Sequence, residues 1–232
     1  MRVLVTRPQS QARRTAAQLA ARGHETLLAP VIEIVGLRPA VPPGPYAVVV
    51  ATSAQALDPA SLDRLADEVL GLPLFAVGRR TAEAATTAGF QSIETVAATA
   101  ADLARRIIYA RPAQAVLYLA GRDRKPDLEL SLRSAGLRLV VVKTYEARAV
   151  AHLPPVAVGE IRAGRVDAVL HFSRRSAALF VDLCAEADVT EAASRLRHCA
   201  ISADAAIPLR GFSANVTVAR APNAATLYET LA

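Results

Sequence analysis

The hydrophobic positions of this chain come in short unbroken runs that alternate with alanine-rich stretches of helical period. An apolar run without strict alternation marks a strand buried on both faces, as in a parallel sheet covered by helices. The pattern predicts strands at Arg2–Thr6, Glu25–Ala29, Tyr46–Ala51, Leu74–Val77, Ser92–Val96, Ala115–Ala120, Arg138–Val142, Asp167–Phe172, His198–Ser202 and Asn215–Ala219. It predicts helices at Ser10–Arg22, Ser61–Leu70, Thr81–Ala88, Ala101–Arg111 and Asp127–Ala135, with Gly23, Gly89 and Gly136 as stops. Regular alternation of strand and helix implies an α/β fold of doubly wound parallel sheets.

The pattern repeats internally. Ala47–Ala56 and Ala168–Ala177 are each an apolar run that stops at a serine, Ser53 or Ser173, and passes straight into a helical pattern. A serine there puts a hydroxyl and free N–H groups at the carboxyl edge of a sheet, where open α/β sheets bind ligands and helix starts favour anions. Phe75–Ala82 has a counterpart in Cys199–Ala206, and the opening strand–helix–Gly23–strand unit resembles Val116–Val142. Proline-rich Leu37–Pro45 and His152–Pro155 read as linkers. They give a discontinuous domain, 1–36 plus 149–232, and a domain inserted into it, 37–148. Two crossing linkers would form a hinge, with Ser53 and Ser173 on opposing walls of one cleft.

Composition narrows the chemistry. At 232 residues, 53% hydrophobic and 21% charged, the chain can bury an ample core and is not a disordered sequence. There are 27 basic and 21 acidic residues, and every base except Lys125 and Lys143 is arginine, whose planar fork suits carboxylate or phosphate. Residues 37–148 hold 14 bases and 11 acids, the remainder 13 and 10. Both domains therefore share the positive excess, as expected if both face one anion. No cluster of bases and an aromatic content of only 4% argue against nucleic acid. Cys184 and Cys199 have no metal-type spacing and suit a reducing compartment. The amino-terminal run is broken by Arg7, and the longest uncharged stretch opens on prolines, so neither a signal peptide nor a membrane helix is expected.

With the motifs in this order, the whole chain resembles the uroporphyrinogen-III synthase family. The resemblance is carried by Val3-Leu-Val-Thr-Arg-Pro8, Gly23-His-Glu25, Ala29-Pro30, Thr52-Ser-Ala54, Val77-Gly-Arg-Arg-Thr81, Val142-Lys-Thr-Tyr-Glu146 and Phe172-Ser173. It implies two flavodoxin-like α/β domains joined by a two-stranded linker, one inserted into the other. It further implies conversion of hydroxymethylbilane, a linear tetrapyrrole, to uroporphyrinogen III. Water is lost and the macrocycle closes with ring D inverted through a spiro intermediate, without cofactor or metal. The expected protein is a cytoplasmic monomer that meets the preceding pathway enzyme only transiently and binds neither nucleic acid nor membrane.

In this reading Tyr145 is the candidate catalytic residue, a phenol able to assist departure of the substrate hydroxyl. The alternative is an interfacial tyrosine whose hydroxyl is already satisfied. Thr6, Ser53, Thr81 and Ser173 would offer hydroxyls to substrate carboxylates, or serve as plain helix caps. Arg7, Arg122, Arg174 and Arg175 would supply positive potential. Gly78 would let a backbone amide approach the ligand or simply make its turn. Ser202 stands in the second copy of the Gly-x-x-Thr turn, which reads Ser202-Ala-Asp-Ala205 and lacks both glycine and threonine. His24, His152, His171 and His198 show no metal spacing, and His171 reads as a core histidine. Asp123 and Asp127 read as caps for the following helix. A non-enzymatic two-lobed binder of small anions would share these features. A dinucleotide enzyme would not, since no strand is followed by Gly-x-Gly-x-x-Gly.

Overall fold

The apolar runs form strands because their residues have no face left for water. Val3, Leu4 and Val5 are fully buried, as are Val49, Val50, Ala51, Leu117 and Leu119. A computed structural model describes residues 1–62 and 65–232. It begins with β1 (Arg2–Val5), α1 (Gln9–Ala20), β2 (Glu25–Leu28), β3 (Ile32–Gly36), β4 (Tyr46–Ala51), α2 (Asp67–Leu70), β5 (Pro73–Val77), α3 (Arg79–Thr87), β6 (Ser92–Ala97) and α4 (Ala100–Ala110). Next come β7 (Ala115–Gly121), α5 (Asp127–Ser134), β8 (Leu139–Ala149), α6 (Pro155–Arg162), β9 (Ala168–His171) and α7 (Arg174–Glu186). The chain finishes with α8 (Thr190–Ser194), β10 (Arg197–Ala200), α9 (Ala203–Ala206), β11 (Val216–Val218) and α10 (Ala224–Glu229). Of the helix predicted over Ser61–Leu70, Asp67–Leu70 is helical and Pro59–Ser61 is a 3-10 turn. Residues 63 and 64 lie outside the described residues.

By packing, the chain divides into two units, Met1–Glu33 with Arg148–Ala232, and Ile34–Ala147. In the first, the strand order is β11-β10-β9-β1-β2, all parallel. Counted along this unit's own chain the order is 2-1-3-4-5, the flavodoxin arrangement. Val3, Val5, Ala168, Leu170 and Cys199 face Ala12 and Leu19 of α1 and Leu227, Tyr228 and Leu231 at the carboxyl terminus. The opposite face carries His171 and His198, packed against Phe180 of α7.

The second unit has the order β3-β8-β7-β4-β5-β6, with β4 to β8 parallel. Alternate residues of β4 and β7 supply two separate cores. Val49, Ala51, Leu117 and Leu119 lie in one; Val48, Val50, Val116 and Tyr118 lie in the other with Leu103 and Ile107 of α4 and Leu128 and Leu132 of α5. Strand β3 runs antiparallel along β8: the Leu37 amide donates to the Thr144 carbonyl at 2.9 Å and the Val150 amide to the Val31 carbonyl at 3.2 Å. The chain crosses between units within β3 and within β8, so the proline-rich segments taken as linkers lie just inside the units.

The internal repeat now has a spatial meaning. β9, β10 and β11 occupy the places in the first sheet that β4, β5 and β6 occupy in the second, and β1 and β2 match β7 and β8. The βαβ hairpin opens the first unit and closes the second. The five parallel strands have the same arrangement in both sheets with the chain order permuted, and β3 is an additional edge strand of the second.

Strand β8 is longer than its predicted segment, Arg138–Val142. It continues to Ala149 with Thr144 and Glu146 on the inward face. Thr144 is fully buried and donates to the Ala56 carbonyl at 2.9 Å, which removes the cost of an inward hydroxyl.

Candidate functional site

In an open α/β sheet, ligands bind outside the carboxyl ends of the strands, where the chain order reverses direction. In the first unit that point lies between β1 and β9, and in the second between β4 and β7. The residues leaving these strands are Thr6 and Arg7, Phe172 and Ser173, Thr52 and Ser53, and Arg122. Both doubled serines therefore stand at switch points.

At the first unit's switch point, Thr6 is fully buried and its hydroxyl donates to the Leu170 carbonyl at 2.9 Å, tying β1 to β9. Its hydroxyl serves the scaffold. Arg7 folds back over α1, donating to Gln11 Oε1 from Nε at 3.1 Å and Nη2 at 2.7 Å, with its guanidinium 4.1 Å over the Phe172 ring. Ser173 caps α7: its hydroxyl oxygen accepts from the Ser176 amide at 3.1 Å and donates to Ser176 Oγ at 3.0 Å. Arg174 and Arg175 lie exposed in the first turn of α7, and Arg174 reaches Asp204 at 3.7 Å. One strand further out, Ser202 caps the short α9 by accepting from the Ala205 amide at 3.2 Å.

At the second unit's switch point, Ser53 caps a 3-10 turn by accepting from the Gln55 amide at 3.3 Å. Gly78, after β5, has φ of +76°, and a side-chain carbon there would have no neighbour within 4 Å, so the positive φ is what requires glycine. Its amide donates to the Ala97 carbonyl at 2.8 Å, which takes that N–H away from any ligand. Thr81 is buried in the first turn of α3.

Strands β7 and β8 form the most detailed corner of this edge. A side-chain carbon at Gly121 would sit 2.7 Å from Tyr145 Cζ and 2.9 Å from its hydroxyl, so the tyrosine ring lies directly across the glycine. The Tyr145 carbonyl accepts from the Arg122 amide at 2.8 Å. The half-buried ring packs on the Val49–Leu117 core, and its hydroxyl has no hydrogen-bond partner among the described residues. Arg122 is ion-paired with Glu146, whose side chain is 5% exposed against 55% for the arginine. Arg124 holds Glu129 at 2.6 Å and donates to the Gly121 carbonyl at 3.0 Å. Asp127 opens α5 without capping it, since that helix has no side-chain cap.

Sequence reasoning gives no role to three members of this corner. Glu146 enters only as the end of the Val142–Glu146 motif. Thr52 enters only beside the more conspicuous Ser53. Tyr118 is hidden inside an apolar run, where a tyrosine counts as one more core residue. Its hydroxyl lies 2.8 Å from Thr52 Oγ1, and burial pushes its acidity below that of an ordinary phenol.

The two histidines in the first unit meet although 27 positions separate them. His171 Nε2 and His198 Nδ1 are 3.0 Å apart, with the rings stacked at 5.2 Å, and His198 Nε2 contacts the Ala193 carbonyl at 3.0 Å. That chain of bonds fixes both as neutral Nε2–H tautomers and confirms His171 as a core residue. Among the described residues, no three His, Cys, Asp or Glu side chains are grouped to hold a metal ion, and no helix is long and apolar enough to cross a membrane.

Solved structures with this architecture define the class. Uroporphyrinogen-III synthetase from Helicobacter pylori superposes with a TM-score of 0.66 at 18% identity, covering 100% of this chain and 98% of the other. A mutant uroporphyrinogen III synthase from the extremely thermophilic bacterium Thermus thermophilus gives 0.51 at 16% identity, covering 100% and 96%. At these identities the likeness establishes the fold: parallel sheets in two α/β domains. Comparison with curated protein sequences gives no match. The family profile of uroporphyrinogen-III synthase HemD matches residues 13–229. The chain belongs to the uroporphyrinogen-III synthase family, enzymes of tetrapyrrole biosynthesis. Membership decides for the enzyme over the non-enzymatic anion binder.

Proposed function

We propose that this enzyme closes hydroxymethylbilane by positioning and electrostatics, with Tyr145 as the residue that assists loss of the hydroxyl. The observation that carries this reading is the Tyr145 phenol, fixed across Gly121 at a switch point yet without a hydrogen-bond partner among the described residues. A phenol can donate a hydrogen bond at neutral pH to the departing oxygen. The carbon–oxygen bond breaks with its electron pair going to the oxygen, which the phenol hydrogen-bonds as it departs; the adjoining pyrrole N–H gives up its proton, so that water leaves and the neutral conjugated azafulvene remains. The terminal pyrrole then attacks it through the spiro intermediate. Because the substrate ionises on its own, the protein's task is to hold a flexible polyanion in the geometry that leads to the inverted isomer.

Each unit offers residues for that hold at its own switch point. Arg122, fixed by Glu146, and Arg174 and Arg175 at the start of α7 attract the substrate carboxylates. The α7 amino terminus, capped by Ser173, adds backbone N–H groups and a favourable dipole. Arg7 and Ser53 extend the same edges. Thr6 and Thr81, both buried, and Gly78 and Ser202 shape the turns around them. Two buried free thiols, Cys184 and Cys199, suit a reducing cytoplasm. In this reading the enzyme works there as a monomer, taking its short-lived substrate from the enzyme that makes it.

Tyr145→Phe tests the role assigned to the phenol. Turnover is expected to fall by about tenfold to a few hundredfold, the size of one lost hydrogen bond to an oxygen that gains charge as it departs, with unchanged melting temperature. A loss beyond a few thousandfold in a folded variant would show that chemistry, and not positioning, dominates.

A further inference from the structure

Tyr118 is 2% exposed, and its hydroxyl lies 2.8 Å from Thr52 Oγ1. Neither hydroxyl has another hydrogen-bond partner among the described residues. A buried phenol left without a partner is costly, so this contact must be made. Its direction follows from acidity. A phenol is a far stronger acid than an aliphatic alcohol and is the better donor, so the Tyr118 O–H donates and Thr52 Oγ1 accepts. Burial also keeps the phenol protonated through neutral pH. Thr52 then retains its own hydroxyl proton, aimed away from Tyr118 and not taken up by any described acceptor.

Place supplies the second half of the argument. Tyr118 pairs with Val50 across β4 and β7, and Thr52 is the first residue beyond β4. The phenol therefore spans along the sheet to its carboxyl edge at the second unit's switch point. Arg124, its ion-pair partner Glu129 and Tyr145 are close enough to Tyr118 to act on its ionisation electrostatically. Thr52 is half-buried at that edge, so its remaining hydroxyl proton is available to a ligand at the second unit's switch point.

We propose that Tyr118 is a positioning residue that holds Thr52 as a directed hydrogen-bond donor to a carboxylate of the substrate. This rests on the reading of the Tyr145 corner as the substrate site. A side-chain carboxylate does not change during ring closure, so the contact is equal in the ground and transition states. It affects KM and leaves kcat alone.

The test is steady-state kinetics with hydroxymethylbilane on the full-length protein, its Tyr118→Phe, Thr52→Val and Thr52→Ser variants, and the Tyr118→Phe/Thr52→Val double variant. Tyr118→Phe and Thr52→Val should each raise KM by about threefold to tenfold with kcat within about twofold. Thr52→Ser, which keeps the hydroxyl, should stay near the parent value. Because Tyr118 acts only through Thr52, the double variant should be no worse than Thr52→Val. A purely structural role would lower the melting temperature and leave KM in place. Multiplying effects in the double variant, or an unchanged KM in Tyr118→Phe, overturn the proposal. Thr52→Val at the parent KM overturns it however Tyr118→Phe folds. If the parent itself makes only the uninverted isomer, the functional reading falls first and takes this one with it.

Discussion

Tyr145 owes its place to the absence of a side chain at Gly121. Any β-carbon there would lie 2.7 Å from the ring, and a rigid ring gives way only by swinging off the strand. Gly121→Ala should therefore lower turnover at least as far as Tyr145→Phe while the fold persists; a variant with full activity would mean the ring's position is immaterial. Glu146 and Tyr118 show the limit of reading such a corner from the sequence. Residue type alone sends Glu146 to the surface, although it is buried, and makes Tyr118 one more core residue without showing where its hydroxyl goes. Their importance comes from neighbours brought up by other strands, Arg122 for one and Thr52 for the other.

Helix α7 and the strands beside it separate capping from binding. Ser173 accepts from the Ser176 amide, so Ser173→Ala should cost about 1 kcal/mol of stability. Aspartate caps as well as serine, but adds negative charge where the substrate's carboxylates are drawn. Ser173→Asp should thus keep the melting temperature and raise KM; unchanged kinetics would reduce Ser173 to a cap. Beneath it, burial and the neighbouring ring hold His171 well below the usual histidine range, and burial lowers His198. Between those folded values and about pH 6.5 the unfolded chain binds protons that the folded chain does not. Stability is then complete above about pH 6.5 and lost as the pH falls below it. Melting temperature should drop from pH 7 to pH 5, with the NMR titrations of His171 and His198 displaced below the ordinary histidine range; ordinary titrations of both would contradict the packing. Strands buried on both faces were legible because their apolar runs are unbroken. β3 and the far half of β8 were not, since Thr144 and Glu146 put polar groups on an inward face and satisfy them locally. The histidine pair needed the adjacency of β9 and β10, which no spacing along the chain reveals.

At the scale of the whole molecule, the two units share the same five-strand parallel arrangement, with its βαβ unit at opposite ends of the chain order. That permutation explains why motifs recur in the sequence without recurring in the same order. It also places Ser53 and Ser173 at equivalent switch points. The family fixes the class of chemistry, and the corner built on Gly121, Arg122 and Tyr145 is the location we propose for it. The most direct test is to supply freshly generated hydroxymethylbilane to the protein, oxidise the products and separate the porphyrin isomers. Isomer III well above the spontaneous isomer I is the result this account predicts, and isomer I alone would contradict it.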